Sequence, residues 1–269
     1  MKKVVRKFAI LIMTSIMIIM ALPLTTQAAT KKVIPLKSGK TYTSYDFTGN
    51  GKKDRFKYVT YRKNGGEYAK VYINGKRRST LNLLRGGARS PHGDGLYLCR
   101  VSRKNVFLVT ECGQFGASAC LCYAYKNGRF RNVATVSGFD YNTPSKVSGS
   151  TLYFKSTAGK HSWLFANNRG PSCYMKYKAS NKKLKLTSRY AKLSGTYTAT
   201  MSFRTSSKAT SMNGRGVMVR RGNRVKLKSV YFSPSGGSMI KVSVNGKTGW
   251  IPDGGWGYQN ASLKGALKR

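Results

Sequence analysis

The sequence predicts an all-β protein, and three observations support this fold class. Short segments rich in Val, Tyr, Phe, Ile and Thr recur along the chain, such as "FKYVTY" (56–61) and "NVFLVTEC" (105–112). Asn-Gly and Gly-Gly pairs separate many of these segments, which is typical of tight turns between strands. After residue 30, no long stretch shows the spacing of apolar residues that an amphipathic helix needs.

The first 29 residues are predicted to be a signal peptide. A basic segment (residues 2–7) comes first, and an almost unbroken apolar run follows from Phe8 to Leu24. Small residues near Ala28 then offer a cleavage site, and this order is that of a secretory signal. An uncleaved membrane anchor is the alternative, because the run approaches the length that spans a bilayer. We favour cleavage and expect a secreted, extracellular protein.

Asn-Gly pairs predict β-hairpins along the mature chain. The pairs that begin at Asn74, Asn127 and Asn245 each join two predicted strands, and a basic residue follows each pair. Asn-Gly suits a two-residue type I′ turn because both central residues take positive φ. The segment "MKYKASNKKLKL" (175–186) is interpreted as a degenerate version of this unit. An internal repeat and simple reuse of one turn both fit the pattern, and we favour reuse.

The charge of the chain favours an anionic partner. The sequence has 50 Lys and Arg residues against 7 Asp and Glu, and its formal net charge is +43. Such a field attracts polyanions. We therefore expect anionic cell-wall polymers or peptidoglycan as partners, and we regard nucleic acid as a less favoured one. The basic residues are spread along the chain without a long run, so the charge does not locate a site.

The few acidic residues and histidines argue against several enzyme classes. The chain has only two histidines and 7 acidic residues. A glycosidase needs two carboxylates beside one bond, and a hydrolytic zinc site needs clustered His or acidic ligands. The sequence offers neither arrangement, so we predict a non-catalytic protein. We expect no cofactor except a weakly bound calcium ion, for which one loop is a candidate.

That candidate is the loop "DFTGNGKKD" (46–54). Its oxygen-bearing side chains lie at the first, third, fifth and ninth positions, namely Asp46, Thr48, Asn50 and Asp54. Calcium binds six to eight oxygens, several of them from carboxylates. Two carboxylates beside two lysines indicate a weak calcium site at best. The alternative, which we favour, is an Asx-type turn in which Asp46 and Thr48 bond to the loop's own backbone.

The region 42–76 resembles the Asp-rich hairpin units of secreted bacterial proteins, called VCBS or FG-GAP-like units. The resemblance covers one unit and rests on the loop 46–54 and on the closing "YINGK" (72–76). It implies a hairpin unit inside an N-terminal irregular β domain, which we expect at residues 30–193. In that family, such loops often hold calcium.

The region 196–253 resembles the bacterial SH3-like (SH3b) domain. The closing "MIKVSVNGKTGWIPD" carries most of the resemblance, since Gly249 and Trp250 match the family's final Gly-Trp, and Arg204 matches the arginine of its opening segment. The resemblance implies a small SH3-like β-barrel that binds cell-wall peptides, with Arg204 and Trp250 as ligand-binding residues. The alternative for Trp250, which we favour, is a place in the core of the barrel. We expect Gly249 to bend the chain so that Trp250 covers the barrel.

The expected boundaries follow from these segments. The SH3-like barrel is expected at residues 194–254, and a Gly-rich basic tail at residues 255–269. The boundary near residue 193 separates a basic, polar stretch from the compact pattern that follows.

The chain has five cysteines, so at least one lies outside any intramolecular disulfide. Cys112 and Cys120 flank "GQFGASA", a plausible hairpin connection, which predicts a disulfide between them. The alternative is that the cysteines are buried thiols that behave as small apolar residues. The sequence leaves both open.

Cys173 and His161 carry an enzymatic alternative. Their arrangement is similar to the His…Ser-x-Gly-Cys pattern of L,D-transpeptidases, which are wall-modifying enzymes, and a histidine can activate a thiol. Pro171 and Ser172 before the cysteine depart from that pattern.

The signal peptide, the charge and the SH3b resemblance together predict a secreted binding protein retained at the anionic envelope of a Gram-positive-type bacterium. A wall-modifying enzyme and an extracellular binder of nucleic acid or teichoic acid are the alternatives.

Overall fold

The computed structural model describes most of the chain after residue 31, in the ranges 32–84, 95–114, 117–139, 141–158, 170–211, 215–234, 237–253 and 263–264. The regular structure in these residues is entirely β-strand, so the predicted all-β class is confirmed. The expected signal peptide and most of the expected tail lie outside these ranges. Within them, no helix is long and apolar enough to cross a membrane.

The strands in chain order are β1 (Val33–Pro35), β2 (Thr41–Tyr45), β3 (Asp54–Lys63), β4 (Gly66–Ile73), β5 (Lys76–Leu84), β6 (Leu96–Arg100), β7 (Val106–Gln114), β8 (Ala117–Lys126), β9 (Arg129–Ser137), β10 (Tyr141–Ser148), β11 (Thr151–Thr157), β12 (Ser172–Ser180), β13 (Lys183–Leu186), β14 (Tyr190–Lys192), β15 (Thr196–Ala199), β16 (Phe203–Arg204), β17 (Met218–Val219), β18 (Arg224–Phe232), β19 (Ser238–Val244), β20 (Lys247–Pro252) and β21 (Leu263–Lys264).

These strands form antiparallel sheets in which chain neighbours usually pair. The sheets have the orders β2-β3-β4-β5, β1-β6-β7-β8-β9, β10-β11-β12-β13 and β20-β19-β18-β15-β21, with β14 also paired to β18. Strands β16 and β17 form a ladder of their own. Most connections are hairpins, because short turns join strands that lie side by side.

The expected SH3-like barrel is not confirmed, since none of the described sheets closes on itself. The short strands β16 and β17 pair with each other instead of joining the C-terminal sheet. Their segment reaches β20 through one isolated bridge between Ser206 and Trp250. One bridge leaves the sheet open at that edge.

The predicted hairpins at residues 74–75, 127–128 and 245–246 are present, and each central Asn and Gly has positive φ. A further Asn-Gly hairpin, which the sequence analysis did not identify, lies at residues 64–65. The degenerate segment also forms a hairpin, between β12 and β13. Its central residues, Asn181 and Lys182, have φ values of 48° and 56°.

Two hydrophobic clusters fill the interior. The first joins sheet β2–β5 to the next sheet through residues such as Phe56, Val71 and Leu108. The second extends from Cys99 to Ile251. It includes Phe139 and Phe232, whose ring centroids are 5.5 Å apart. One hydrophobic core therefore contains residues from both sides of the expected boundary near residue 193.

Candidate functional site

Strand β12 buries every second side chain, and this alternation produces a basic outer face. Cys173, Met175 and Tyr177 point into the core. The residues between them, including Lys176 and Lys178, are exposed. Successive side chains of a strand point to opposite sides of the sheet. The core residues of β12 therefore hold its lysines in solvent.

The neighbouring strands add residues to the same face, because residues directly opposite each other share one side of a sheet. Register places Tyr153 of β11 opposite Lys176. It also places Lys178 opposite Lys185 of β13. We call the set on this side the lysine face; it consists of Lys146, Tyr153, Lys155, Tyr174, Lys176, Lys178, Lys183 and Lys185.

The two tyrosines of the lysine face lie between its charges. Lys146 Nζ is 5.1 Å from the ring centroid of Tyr153 and 5.5 Å from that of Tyr174. Lys176 Nζ is 5.9 Å from the Tyr153 centroid. Such contacts pack the lysine stems on the rings and leave the ammonium groups in water. Tyr174 keeps 46% of its surface exposed. The face therefore combines positive charge with exposed aromatic surface.

The lysine face is not balanced by acidic residues of its own sheet. The strands β10 to β13 contain no Asp or Glu. Like charges that lie directly opposite each other destabilise a sheet, and Lys178 and Lys185 are such a pair. A bound anion would relieve this repulsion, so the arrangement favours an anionic ligand.

Trp250 and Arg204 lie in different ladders of the C-terminal region. Trp250 is half-buried, with its ring centroid 6.2 Å from that of Tyr190 and 5.8 Å from Lys241 Nζ. Arg204 is exposed in β16, opposite Met218. Trp250 thus belongs to an exposed aromatic patch with Tyr190, which has 54% of its surface exposed.

Gly249 has a different role from the expected bend. A Cβ at this position would lie 2.6 Å from Thr205 Cβ, closer than real side chains approach. The hydroxyl of Thr205 accepts a hydrogen bond from the Val217 amide at 2.6 Å. Glycine at 249 therefore lets Thr205 pack against β20, which aligns Ser206 with Trp250.

The loop 46–54 forms the Asx-type turn that was the favoured alternative. Asp46 accepts hydrogen bonds from the backbone amides of Gly49 at 2.6 Å and Gly51 at 2.8 Å. The Thr48 hydroxyl donates to Asp46 at 3.3 Å. Burial is the largest single influence on the pKa of Asp46 and raises it, but the hydrogen bonds together outweigh burial and lower the pKa.

The other candidate calcium ligands are also engaged within the loop or its hairpin unit. Asp54 is buried and accepts hydrogen bonds from the Phe47 amide at 2.7 Å and from Asn74 Nδ2 at 2.8 Å. The Asn50 side chain accepts from the Lys52 amide at 2.8 Å. In the described residues, no group of three or more His, Cys, Asp or Glu lies close enough to hold a metal. These hydrogen bonds hold the loop in its turn, and calcium binding there stays a prediction.

Register places Cys112 and Cys120 at different positions of the β7–β8 ladder, and the side chain of Cys112 lies outside the described residues, so the disulfide between them stays a prediction. Cys112 pairs with Ala119, and Cys120 pairs with Glu111. The two cysteines thus occupy adjacent register positions of this ladder. The Cys120 thiol donates to the carbonyl of Asn142 at 2.8 Å.

Cys173 does not have the properties of an enzymatic nucleophile. It is buried, with 3% of its surface exposed. Burial raises the pKa of its thiol to about 12. The thiolate is the reactive form, and at neutral pH this thiol stays protonated. The expected partner, His161, lies outside the described residues.

The lysine face is not among the sites that the sequence motifs predict. The available signal was the alternation of lysines at 176 and 178, and at 183 and 185, around the turn at Asn181. That alternation predicts one charged side on two strands. The contributions of β10 and β11 become visible only when their pairing is known.

Comparisons of the chain with protein-family models, with curated proteins and with solved structures found no significant match. The SH3b and VCBS-like resemblances therefore stay predictions.

Proposed function

We propose that this is a secreted, non-catalytic protein that binds an anionic polymer of the bacterial cell envelope and is retained at the wall by it. The lysine face carries this proposal. Its lysines and two tyrosines share the solvent side of one sheet, and the strands of that sheet contain no carboxylate. The predicted signal peptide supports the proposed location outside the cytoplasm.

The shape of the lysine face favours a polymer over a small anion. Neighbouring strands lie about 4.8 Å apart, and residues on one side of a strand repeat about every 6.6 Å. The charges are therefore spread along one side of the sheet and do not converge on one point. An ammonium group is a compact point charge that does not require one ligand geometry. Many weak contacts of this kind suit a chain with repeating phosphate or carboxylate groups.

The two tyrosines of the lysine face favour a ligand that has apolar surface as well as negative charge. Tyr174 is exposed and Tyr153 is half-buried, and both lie among the lysines. An aromatic ring offers a large apolar surface at low entropic cost. Sugar rings or other flat apolar parts of a wall polymer can pack on these rings while the lysines contact its anionic groups.

The C-terminal region supplies a second surface of similar character. Tyr190, Tyr231 and Trp250 form an aromatic row, in which the Tyr190 and Tyr231 centroids are 5.0 Å apart. Lys241 lies beside the row. This patch supports the role of a cell-wall-binding module, which the SH3b resemblance implies for the region.

Retention on isolated Gram-positive walls tests the proposal. The mature chain is incubated with walls at physiological salt, where screening of surface charges is only partial. We expect the wild type to sediment with the walls. Replacing Lys155, Lys176 and Lys178 with Gln should release most of the protein. Failure of the wild type to bind would contradict the proposal.

A charge-matched control separates the lysine face from net charge. Lys57, Lys76 and Lys247 are exposed and lie on other sheets. The corresponding triple Gln variant should keep wall binding. Equal loss in both triple variants would assign retention to net charge alone. Stronger binding to DNA than to teichoic acid would favour the nucleic-acid alternative.

A further inference from the structure

A second basic site lies where two hairpins and the loop 46–54 border one cleft of about 440 Å³. The hairpin between β8 and β9 contributes Lys126, Asn127 and Arg131 to its wall. The hairpin between β12 and β13 contributes Lys182, and the loop contributes Thr48. The cleft is separate from the lysine face.

The described residues that line the cleft include three cations and no acidic residue. Lys126 and Lys182 are half-buried, and Arg131 is exposed. Half-buried charges lose hydration and repel one another at short range unless an opposite charge accompanies them. A bound anion in the cleft would therefore reduce the repulsion among these three cations.

Lys182 is held in place despite an unfavourable backbone conformation. Its φ of 56° is left-handed, whereas the corresponding position of the Asn-Gly hairpins is a glycine, as at Gly75 and Gly128. Such a conformation costs a non-glycine residue about 1–3 kcal/mol. A lysine at this position forgoes the preferred Asn-Gly turn. The strained backbone conformation therefore occurs at a residue that lines the cleft.

Contacts on both ends of Lys182 aim its side chain at the cleft. Its backbone amide donates to Asn105 Oδ1 at 2.9 Å, and its Nζ donates to the carbonyl of Tyr125 at 3.0 Å. An ammonium group has three donors, so two of them are available to a ligand. The ammonium group is therefore positioned before any ligand arrives.

The loop 46–54 forms the remaining wall of the cleft, and its two carboxylates accept hydrogen bonds from the loop's own backbone amides. A Cβ at Gly49 would lie 3.7 Å from Lys182 Nζ, so the loop packs beside that ammonium group. Asp46 accepts from the amides of Gly49 and Gly51. Asp54 accepts from Phe47 and Thr48 amides. Both carboxylates thus bond to the loop itself and also contact the hydroxyl of Thr48, which lines the cleft, at 3.2–3.3 Å.

We propose that this cleft binds a compact phosphate-type anion through Lys126, Arg131 and Lys182. The guanidinium group of Arg131 offers paired donors that match two phosphate oxygens. The two ammonium groups and the Asn127 side-chain amide can donate to the others. The cleft would hold one phosphate group at a defined point, in contrast to the diffuse attraction of the lysine face.

The test uses Lys182→Gly in the mature chain, with inorganic phosphate as the probe. Glycine accepts the positive φ of this position, so the variant keeps the hairpin and removes the ammonium group. Backbone amide NMR at constant ionic strength should show phosphate-dependent shifts near residues 126–128 and 182 of the wild type. We expect at least tenfold weaker binding in the variant. Arg131→Gln, on an exposed position, should also weaken it.

A matched control is Lys247→Ala, which removes one exposed lysine beside another Asn-Gly turn. It should bind phosphate as the wild type does. Equal affinity of Lys182→Gly and the wild type would overturn the proposal, as would equal shifts from chloride. A glycerol-phosphate polymer that shifts the same residues identifies a polymer phosphate as the ligand, and shifts from inorganic phosphate alone identify the free ion. Loss of wall retention by the lysine-face variant is measured separately, so the two proposals can fail independently.

Discussion

Lys178 and Lys185 lie directly opposite each other on the antiparallel strands β12 and β13, and both side chains are exposed. Opposed residues of such a pair have Cβ atoms about 5 Å apart, and like charges there are destabilising. The repulsion between Lys178 and Lys185 therefore destabilises this sheet in the free protein.

Replacing Lys185 with Glu should stabilise the protein, because the opposed lysines become an ion pair. We expect a gain of about 0.2–1 kcal/mol in the free energy of unfolding, measured by urea denaturation at low salt. Lys247→Glu changes the net charge equally but lies opposite Val244, so it should gain less. A Lys185→Glu variant no more stable than this control would contradict the prediction.

Polymer binding through the lysine face should depend strongly on salt. Each lysine that contacts an anionic group releases about one counterion, so its removal lowers the slope of log affinity against log salt by about one. Lys178→Gln should show this change when teichoic acid binding is titrated over a range of salt concentrations. Lys57→Gln, on another sheet, should leave the slope as it is. An unchanged slope for Lys178→Gln would remove that residue from the contact surface.

The contribution of Asp46 to stability should be lost in acid. Hydrogen bonds from the Gly49 and Gly51 amides help to hold the pKa of Asp46 below its ordinary value of 3.8. A lowered folded-state pKa gives a stabilisation that is fully present above the ordinary value and disappears as pH falls through the folded value. The stability difference between the wild type and Asp46→Asn should therefore shrink over that acidic window, as followed by urea denaturation. A difference that stays constant with pH would show that ionisation of Asp46 does not matter.

Calcium should have little effect on the loop 46–54, because both carboxylates already accept hydrogen bonds from the hairpin unit. Adding calcium should shift the melting temperature of the wild type and of Asp46→Ala by equal, small amounts. Magnesium at the same concentration controls for ionic strength. A calcium-specific rise in the wild type alone would establish the metal site that the sequence pattern indicated.

Cys173 should be unreactive in the folded protein. Burial raises the pKa of its thiol to about 12, so only a trace of thiolate exists at pH 8, and the side chain is out of contact with solvent. Iodoacetamide should label Cys173 rapidly only after unfolding in urea, as mass spectrometry of the labelled peptides can show. Rapid labelling of the native protein would revive the hypothesis of a nucleophilic thiol.

Local features of the fold were predictable from the sequence where one short segment determines them. The Asn-Gly pairs at 74, 127 and 245 formed the predicted hairpins because the turn geometry depends on those two residues alone. The Asx-type turn was predictable for the same reason, since Asp46 bonds to amides a few residues away. The sequence also predicts a degenerate hairpin around Asn181, but no motif in it predicts the contact of Lys182 with the carbonyl of Tyr125.

Features that depend on pairing between distant strands were not predictable. A shift of one position separates Cys112 from Cys120, and no local signal in the connecting segment fixes that register. The grouping of Lys146 with Lys176 requires three strands to pair in a given order. Gly249 was predicted to bend the chain. The structure shows that Thr205, more than forty residues earlier, leaves no room for a side chain at position 249.

The buried thiols give this fold a further property. Cys99, Cys120, Cys122 and Cys173 are all buried in the larger core cluster, where they pack as small apolar side chains. Their contribution to the core is the burial of apolar surface, which does not depend on the reduction potential of the surroundings. Burial also shields these four sulfur atoms from oxidants in solution until the core unfolds.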